Sequence, residues 1–387
     1  MRFKINKNII ILSLGFLFIF LGFASVQSYV TTFFSEQGKA NVGFISLILI
    51  YLFFAIGNTF SALFISKYGE KKAIIIGSIF YSLYIFSLLT NSISLVYIFS
   101  ALLGLAASLL WIGQSNYLIK ISKETHYGRN SGVFNTIQLT GSAIGLIALG
   151  ILIKTFSYKL PFLIYAIAPL IGFILLFGLK DLGIEYKQSN FKLIKKAMKN
   201  KTALRLSTIW FAFHFTFGLT IGIIPLQVKD VLGVTYVGIL SSVFYIFPIL
   251  FSYLVGYLSD IFGRKKAVLF IYLASILGLV LLYINDNVIL LVLGVVFLAL
   301  SSAIVKTINS PLIGDFTTNK NIGFLTALFF AVQHIGVVTS LILAKSMQND
   351  IVYLISIFVI IASFIMIYPL FKLNFNEIKE KLSDEIK

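Results

Sequence analysis

The sequence has no cysteine, which excludes disulfides, thiolate metal sites and thiol catalysis outright. Charge is scarce too: Asp, Glu, Lys and Arg together make up 12% of 387 residues, against 59% hydrophobic residues and 39 Phe. A soluble domain of this size cannot hide so much apolar surface, whereas lipid solvates it. Only three histidines occur, and they are scattered, so no metal cluster is expected. No Gly-Lys-Ser phosphate loop is present, which removes ATP hydrolysis of that class. No cofactor is expected, and the chain does not read as an enzyme. Short alternating segments of the outer-membrane barrel kind are also missing, which leaves helices as the spanning structure.

What the chain does have is twelve apolar runs, beginning near Asn8, Val42, Ala73, Ile93, Ser131, Leu160, Leu204, Val234, Ala267, Val288, Ile322 and Ile351. A helix needs about 20 apolar residues to cross a bilayer. The expected fold is therefore an all-α membrane protein of twelve transmembrane helices. Met1-Arg2-Phe3-Lys4 and the run behind it resemble a signal peptide, but the run continues to Phe34, longer than a signal core, and reads as the first span.

The net charge of +17 raises nucleic-acid binding as a reading, and its distribution argues against it. With a cytoplasmic N-terminus, 25 of the 31 Lys and Arg fall on cytoplasmic segments. Five fall on external ones (Lys39, Lys154, Lys159, Lys229, Lys345), and Lys306 lies within a span. That is the positive-inside bias, and it predicts a multi-pass protein of the cell membrane with both termini cytoplasmic. No soluble basic domain exists to hold a nucleic acid.

The expected domains are an N-terminal six-helix bundle (1–180), a basic cytoplasmic linker (181–203) and a C-terminal six-helix bundle with a cytoplasmic tail (204–387). Between Lys180 and Arg205 lie eight basic residues and two acids. There Phe191, Ile194 and Met198 share a helical face opposite Lys192, Lys195, Lys196 and Lys199. The pattern fits a short helix on anionic membrane lipids and equally a solvated linker. The halves repeat one another. Lys67-Tyr68-Gly69-Glu70-Lys71-Lys72 answers Ile261-Phe262-Gly263-Arg264-Lys265-Lys266, Gly132 and Gly145 answer Gly323 and Gly336, and Gln114-Ser115 answers Asn309-Ser310, all at offsets of 191 to 195 residues. Two pseudo-symmetric six-helix bundles are expected.

Six plus six helices, a basic central loop and the segment Gly256-Tyr257-Leu258-Ser259-Asp260-Ile261-Phe262-Gly263-Arg264-Lys265 resemble the major facilitator superfamily over nearly the whole chain. The resemblance implies a transporter of a small-molecule substrate that works by alternating access. It also implies a gate built from Gly256, Asp260, Gly263 and Arg264, whose Asp and Arg make interdomain contacts. The first-half copy has Ser66 at the Asp position and Glu70 at the Arg position, so the second copy is the better gate. Phe20-Leu21-Gly22-Phe23-Ala24-Ser25-Val26-Gln27-Ser28 and Gly104 through Leu118 resemble the Unc-ninety-three-like branch. Some members of that branch are implicated in channel regulation or receptor trafficking. An accessory protein that regulates or escorts a membrane partner is the alternative reading.

The superfamily lines its cavity with the first, fourth, seventh and tenth spans. On those spans the resemblance singles out Gln27, Trp111, Gln114, His214, Lys306 and Asn309. Lys306 is the side chain that reads as charged well inside a span, and no Asp or Glu within a span interior is there to pair with it. It serves either as a contact for an anionic substrate or as a lysine snorkelling past the about seven residues to the span's end. His214 and His334 are proton-relay or structural histidines. Asn58, Gln138 and Gln333 read as interhelical bonds or ligands alike. Ser100 stands where proton-driven members carry an Arg, and no Gly-Pro antiporter pattern occurs, so carboxylate-coupled proton transport is disfavoured. Pro225, Pro248 and Pro311 are expected to bend their helices.

Overall fold

A computed structural model describes residues 6–90, 92–122, 127–183, 198–284, 287–316 and 322–386. The first apolar runs fold as α1 (Lys7–Glu36), α2 (Ala40–Tyr68), α3 (Glu70–Leu88), α4 (Ile93–Ile121), α5 (Tyr127–Phe156) and α6 (Lys159–Leu176). After the basic segment follow α7 (Lys201–Ile221), α8 (Ile223–Leu232), α9 (Val234–Phe262), α10 (Arg264–Ile284), α11 (Val288–Phe316), α12 (Ile322–Ser346), α13 (Asn349–Phe371) and α14 (Phe375–Ile386). Among the described residues there is no strand. Among the described residues twelve segments are long and apolar enough to cross a membrane, the seventh being α7 and α8 together. The chain is a multi-pass membrane protein.

Lipid offers no partner for a peptide group, so each run closes its own i→i−4 bonds as helix, the seventh in two pieces. The helix ends need caps instead. Asn200 Oδ1 accepts from Ala203 N at 2.8 Å, and Asn287 Oδ1 accepts from Ile289 N and Leu290 N at 3.0 and 3.1 Å. Asn374 and Glu377 cap each other reciprocally, each backbone N–H donating at 2.8 Å to the other's side chain. This box starts α14, whose Ile378 and Leu382 are buried against its neighbours α7 and α11. What the sequence offers as a cytoplasmic tail is thus a docked helix.

The chain forms two compact units. One comprises Met1–Ser189 and Pro225–Ile246, the other Asn190–Ile224 and Phe247–Lys387. In the first unit α1 packs on α5 and α6, α2 on α4, and α3 on α4 and α6. In the second, α7 packs on α12 and α13, and α10 on α11 and α13. The repeat is visible in these pairings. A Cβ on Gly145 would strike the backbone of Leu21 in α1, and one on Gly336 would strike the backbone of Phe211 in α7. Both glycines sit where two helices come too close for a side chain.

The units are not contiguous in sequence. α7 ends at Ile221, Gly222 adopts φ −101° and ψ −80°, and α8 begins at Ile223 two residues before Pro225. The hairpin from Pro225 to Ile246 belongs to the first unit. There Tyr29 Oη donates to Val234 O at 3.0 Å, Gly238 lies against Leu146 O, and Lys229 Nζ stands 3.9 Å from Glu36 Oε1. Pro248 lies inside α9, just beyond the hairpin. Residues 184–197 of the expected linker, with Phe191 and Ile194, lie outside the described residues.

Candidate functional site

Gln27, Trp111 and Gln114 belong to the first unit; His214, Lys306 and Asn309 belong to the second. Within the first, Gln27 is buried in α1, and its Nε2 donates to Tyr51 Oη of α2 at 2.9 Å. One helical heptad beyond Tyr51, Asn58 is 8% exposed, and among the described residues neither of its amide atoms has a partner. A buried amide left this way loses its full solvation, a cost of about 1–3 kcal/mol, unless a polar group meets it. Trp111 packs its indole at 5.5 and 5.1 Å from the rings of Phe16 and Phe20 on α1. It is part of an aromatic cluster with Phe23 and Tyr81. Gln114 is buried one turn further along α4. Ser100 is buried as well, bonded to Ser46 Oγ at 2.8 Å and to Val96 O, and so ties α4 to α2.

The second unit assembles its candidates more tightly. Trp210 of α7 stacks on Phe329 of α12 with ring centroids 4.1 Å apart and planes 3° from parallel, and its Nε1 donates to Asn309 Oδ1 of α11 at 2.5 Å. One turn along α7, His214 Nδ1 lies 3.0 Å from Trp210 O. Lys306 is exposed and stands three residues before Asn309, one helical turn from the residue of α11 that meets Trp210. His334 of α12 is buried, with its Nδ1 2.7 Å from Phe330 O. Next to it, Gln333 Oε1 is buried without a partner among the described residues. A narrow cleft of about 10 Å³, with room for little more than a water, lies beside Trp210, His214 and Asn309 and reaches Ile271 and Leu312. An indole N–H and an amide therefore meet between α7 and α11 of one unit, with His214 and Lys306 each about one turn away on the same helices.

The gate residues divide differently. Gly256 and Asp260 lie in α9, but their side chains are outside the described residues. Gly263 turns the chain between α9 and α10 at φ 85°, and Gly69 does the same between α2 and α3 at φ 84°. Glycine alone adopts this conformation without strain. Arg264 Nη1 donates to both carboxylate oxygens of Asp315 at 2.6 Å, within the second unit. Lys265 Nζ donates to Phe371 O at 2.7 Å and to Leu373 O at the end of α13. In the first unit the same two positions hold Glu70 and Lys120, paired at 3.0 Å. Asp315 and Lys120 are partners that reading the motif alone missed. Their separation, 195 residues, falls within the repeat offset and was the available signal.

The sequence profile described as Major Facilitator Superfamily matches residues 12–217 and 206–385. The chain belongs to the major facilitator superfamily. Among relatives, UNC93-like protein 3 of Arabidopsis thaliana is 30% identical over 193 residues, 46% of this chain and 40% of that protein. The putative potassium channel regulatory protein unc-93 of Caenorhabditis elegans is 31% identical over 153 residues, 37% of this chain and 21% of that protein. The chain thus matches less than half the length of these UNC93-like relatives. An uncharacterized MFS-type transporter of Methanocaldococcus jannaschii is 22% identical across 84% of this chain and 91% of its own. A peptide transporter POT crystallised with sulfate superposes with a TM-score of 0.80 at 10% identity, covering 96% of this chain and 95% of that one. A D-xylose-proton symporter gives 0.73 at 13% identity, over 92% and 96%. At such identities the likeness concerns the fold, and that fold is the membrane-transporter fold of the superfamily.

Proposed function

We propose that this protein is a secondary-type transporter that carries a small solute by alternating access. In this reading Gln27, Trp111 and Gln114 of the first unit and His214, Lys306 and Asn309 of the second are the residues that meet the solute. The observation that carries the reading is Lys306. Lys306 lies inside the long α11, one helical turn before Asn309. A charge held there is costly unless water or an opposite charge solvates it, which suits a substrate with a carboxylate or another anionic group. Gly256, Asp260, Gly263 and Arg264 form the gate, both termini lie in the cytoplasm, and the membrane is the cell membrane. The chain catalyses no covalent step.

A thermal-shift screen of the purified protein against carboxylates, amino acids, sugars and phosphates names the ligand class, because a ligand that binds the folded state stabilises it. Proteoliposome uptake of the best stabiliser then tests the site. Uptake that survives both Lys306→Gln and Gln114→Ala unchanged removes these residues as contacts. A second reading, an accessory protein for a membrane partner, draws on the likeness to a relative named as a channel regulator. Stoichiometric copurification of a partner, together with no solute flux from the isolated chain, decides for it.

A further inference from the structure

In the first unit, a cavity of about 360 Å³ lies at the end that carries the α1–α2 turn, far along the chain from the cluster around Lys306. Its lining combines Phe33, Phe34, Leu88 and Val96 with two lysines, Lys39 and Lys159, that the fold brings together from positions 120 apart in sequence. Three helices begin at its rim: α2 behind Lys39, α4 behind Ser92 and α6 at Lys159. We propose that this cavity binds the phosphate headgroup of an acidic membrane phospholipid. The two ammonium groups meet the phosphate, and the apolar lining receives the first carbons of the acyl chains.

The charges around the cavity favour an anion. Glu36, the carboxylate nearest in sequence, is not part of the lining. It accepts from Tyr158 Oη at 3.1 Å and has Lys229 Nζ at 3.9 Å, so its charge is already answered. Burial raises the Tyr158 pKa above its ordinary value, which keeps that hydroxyl a donor. Among the described residues Lys39 and Lys159 form no ion pair. Three helix N-termini add positive potential from the same direction, because their first N–H groups point out of the helix ends. The position suits a lipid better than a cytosolic or periplasmic solute: the cavity is at helix ends, where the headgroup layer of a bilayer lies, and half its lining is apolar. Its volume falls within the range of about 300–1,000 Å³ typical of small-molecule sites.

The test is thermal unfolding of the full-length protein in neutral detergent with added phosphatidylglycerol, phosphatidylcholine or water-soluble glycerol phosphate. Phosphatidylglycerol is expected to raise Tm above phosphatidylcholine by on the order of 2 °C. The shift disappears in Lys39→Glu/Lys159→Glu and in the milder Lys39→Gln/Lys159→Gln, and it persists in Lys39→Arg/Lys159→Arg. Both lysines are exposed, so the neutral pair keeps the fold intact. Equal shifts from the two lipids overturn the proposal, as does a phosphatidylglycerol shift that survives both double variants. An equal shift from glycerol phosphate alone overturns the lipid assignment in favour of a soluble anion. Native mass spectrometry supplies a second readout: wild type retains more phosphatidylglycerol than the glutamine pair, and equal retention counts against the site.

Discussion

Lys306 precedes the last residue of α11, Phe316, by ten residues, about 15 Å of helix. The sequence alone suggests about seven, a distance closer to what a snorkelling lysine manages. The longer helix makes snorkelling harder, and a ligand contact is the role we propose for this lysine. Lys306→Gln is therefore expected to abolish the thermal shift given by an anionic ligand while moving the ligand-free Tm by less than about 2 °C. An unchanged ligand shift would count against the contact. Trp210 offers a different test, since its ring packs and its N–H bonds independently. Trp210→Phe keeps the stack on Phe329 but leaves Asn309 Oδ1 without its donor. We expect a loss of about 1 kcal/mol in stability, read as a lower Tm, and Trp210→Phe combined with Asn309→Leu should recover part of it.

Among the elements, the two loop motifs behave as one design with its charges exchanged. In the first copy Glu70 opens α3 and Lys120 lies at the end of α4. A carboxylate at a helix start and an ammonium at a helix end each gain from the helix dipole. In the second copy Arg264 opens α10 and Asp315 lies at the end of α11, so both charges oppose their dipoles, and the short contact to both carboxylate oxygens has to offset that. Reversing the second pair to the first pair's polarity, Arg264→Glu with Asp315→Lys, is expected to be tolerated. Either reversal alone should lower Tm, with a coupling on the order of 1 kcal/mol in a double-mutant cycle. Additive effects would mean that the pair is incidental. Here the sequence misled in an instructive way. Glu70 at the Arg position reads as decay of the motif, because the compensating change at Lys120 is 50 residues away in the chain. The spans themselves were legible because a bilayer demands long apolar runs. Which face of each span meets which neighbour was not, because in lipid every face is apolar and no amphipathic stripe marks the contact. Gln27 was found as a polar residue in a span, yet its partner Tyr51 was not, since tyrosine is unremarkable in an aromatic-rich chain.

At the scale of the molecule, the missing cysteines become an experimental asset. Single cysteines at Lys154 and Lys345 should react with a membrane-impermeant thiol reagent in intact cells, and those at Lys71 and Lys266 only after permeabilisation. All four positions lie at helix ends in the structure, so the pattern reads out orientation directly. The opposite pattern would invert the proposed topology.

The interrupted seventh span carries a consequence for taking the protein apart. Because Pro225–Ile246 belongs to the unit otherwise made by the first 189 residues, each half of the gene encodes less, or more, than the body it builds. A polypeptide stopped at Ser189 lacks the hairpin against Tyr29 and Leu146, and one started at Asn190 carries that hairpin with nothing to receive it. Expressed from two separate reading frames, the fragments should accumulate only together, each protecting the other from the quality-control proteases of the membrane. Stable accumulation of either fragment by itself would show that the borrowed hairpin is dispensable.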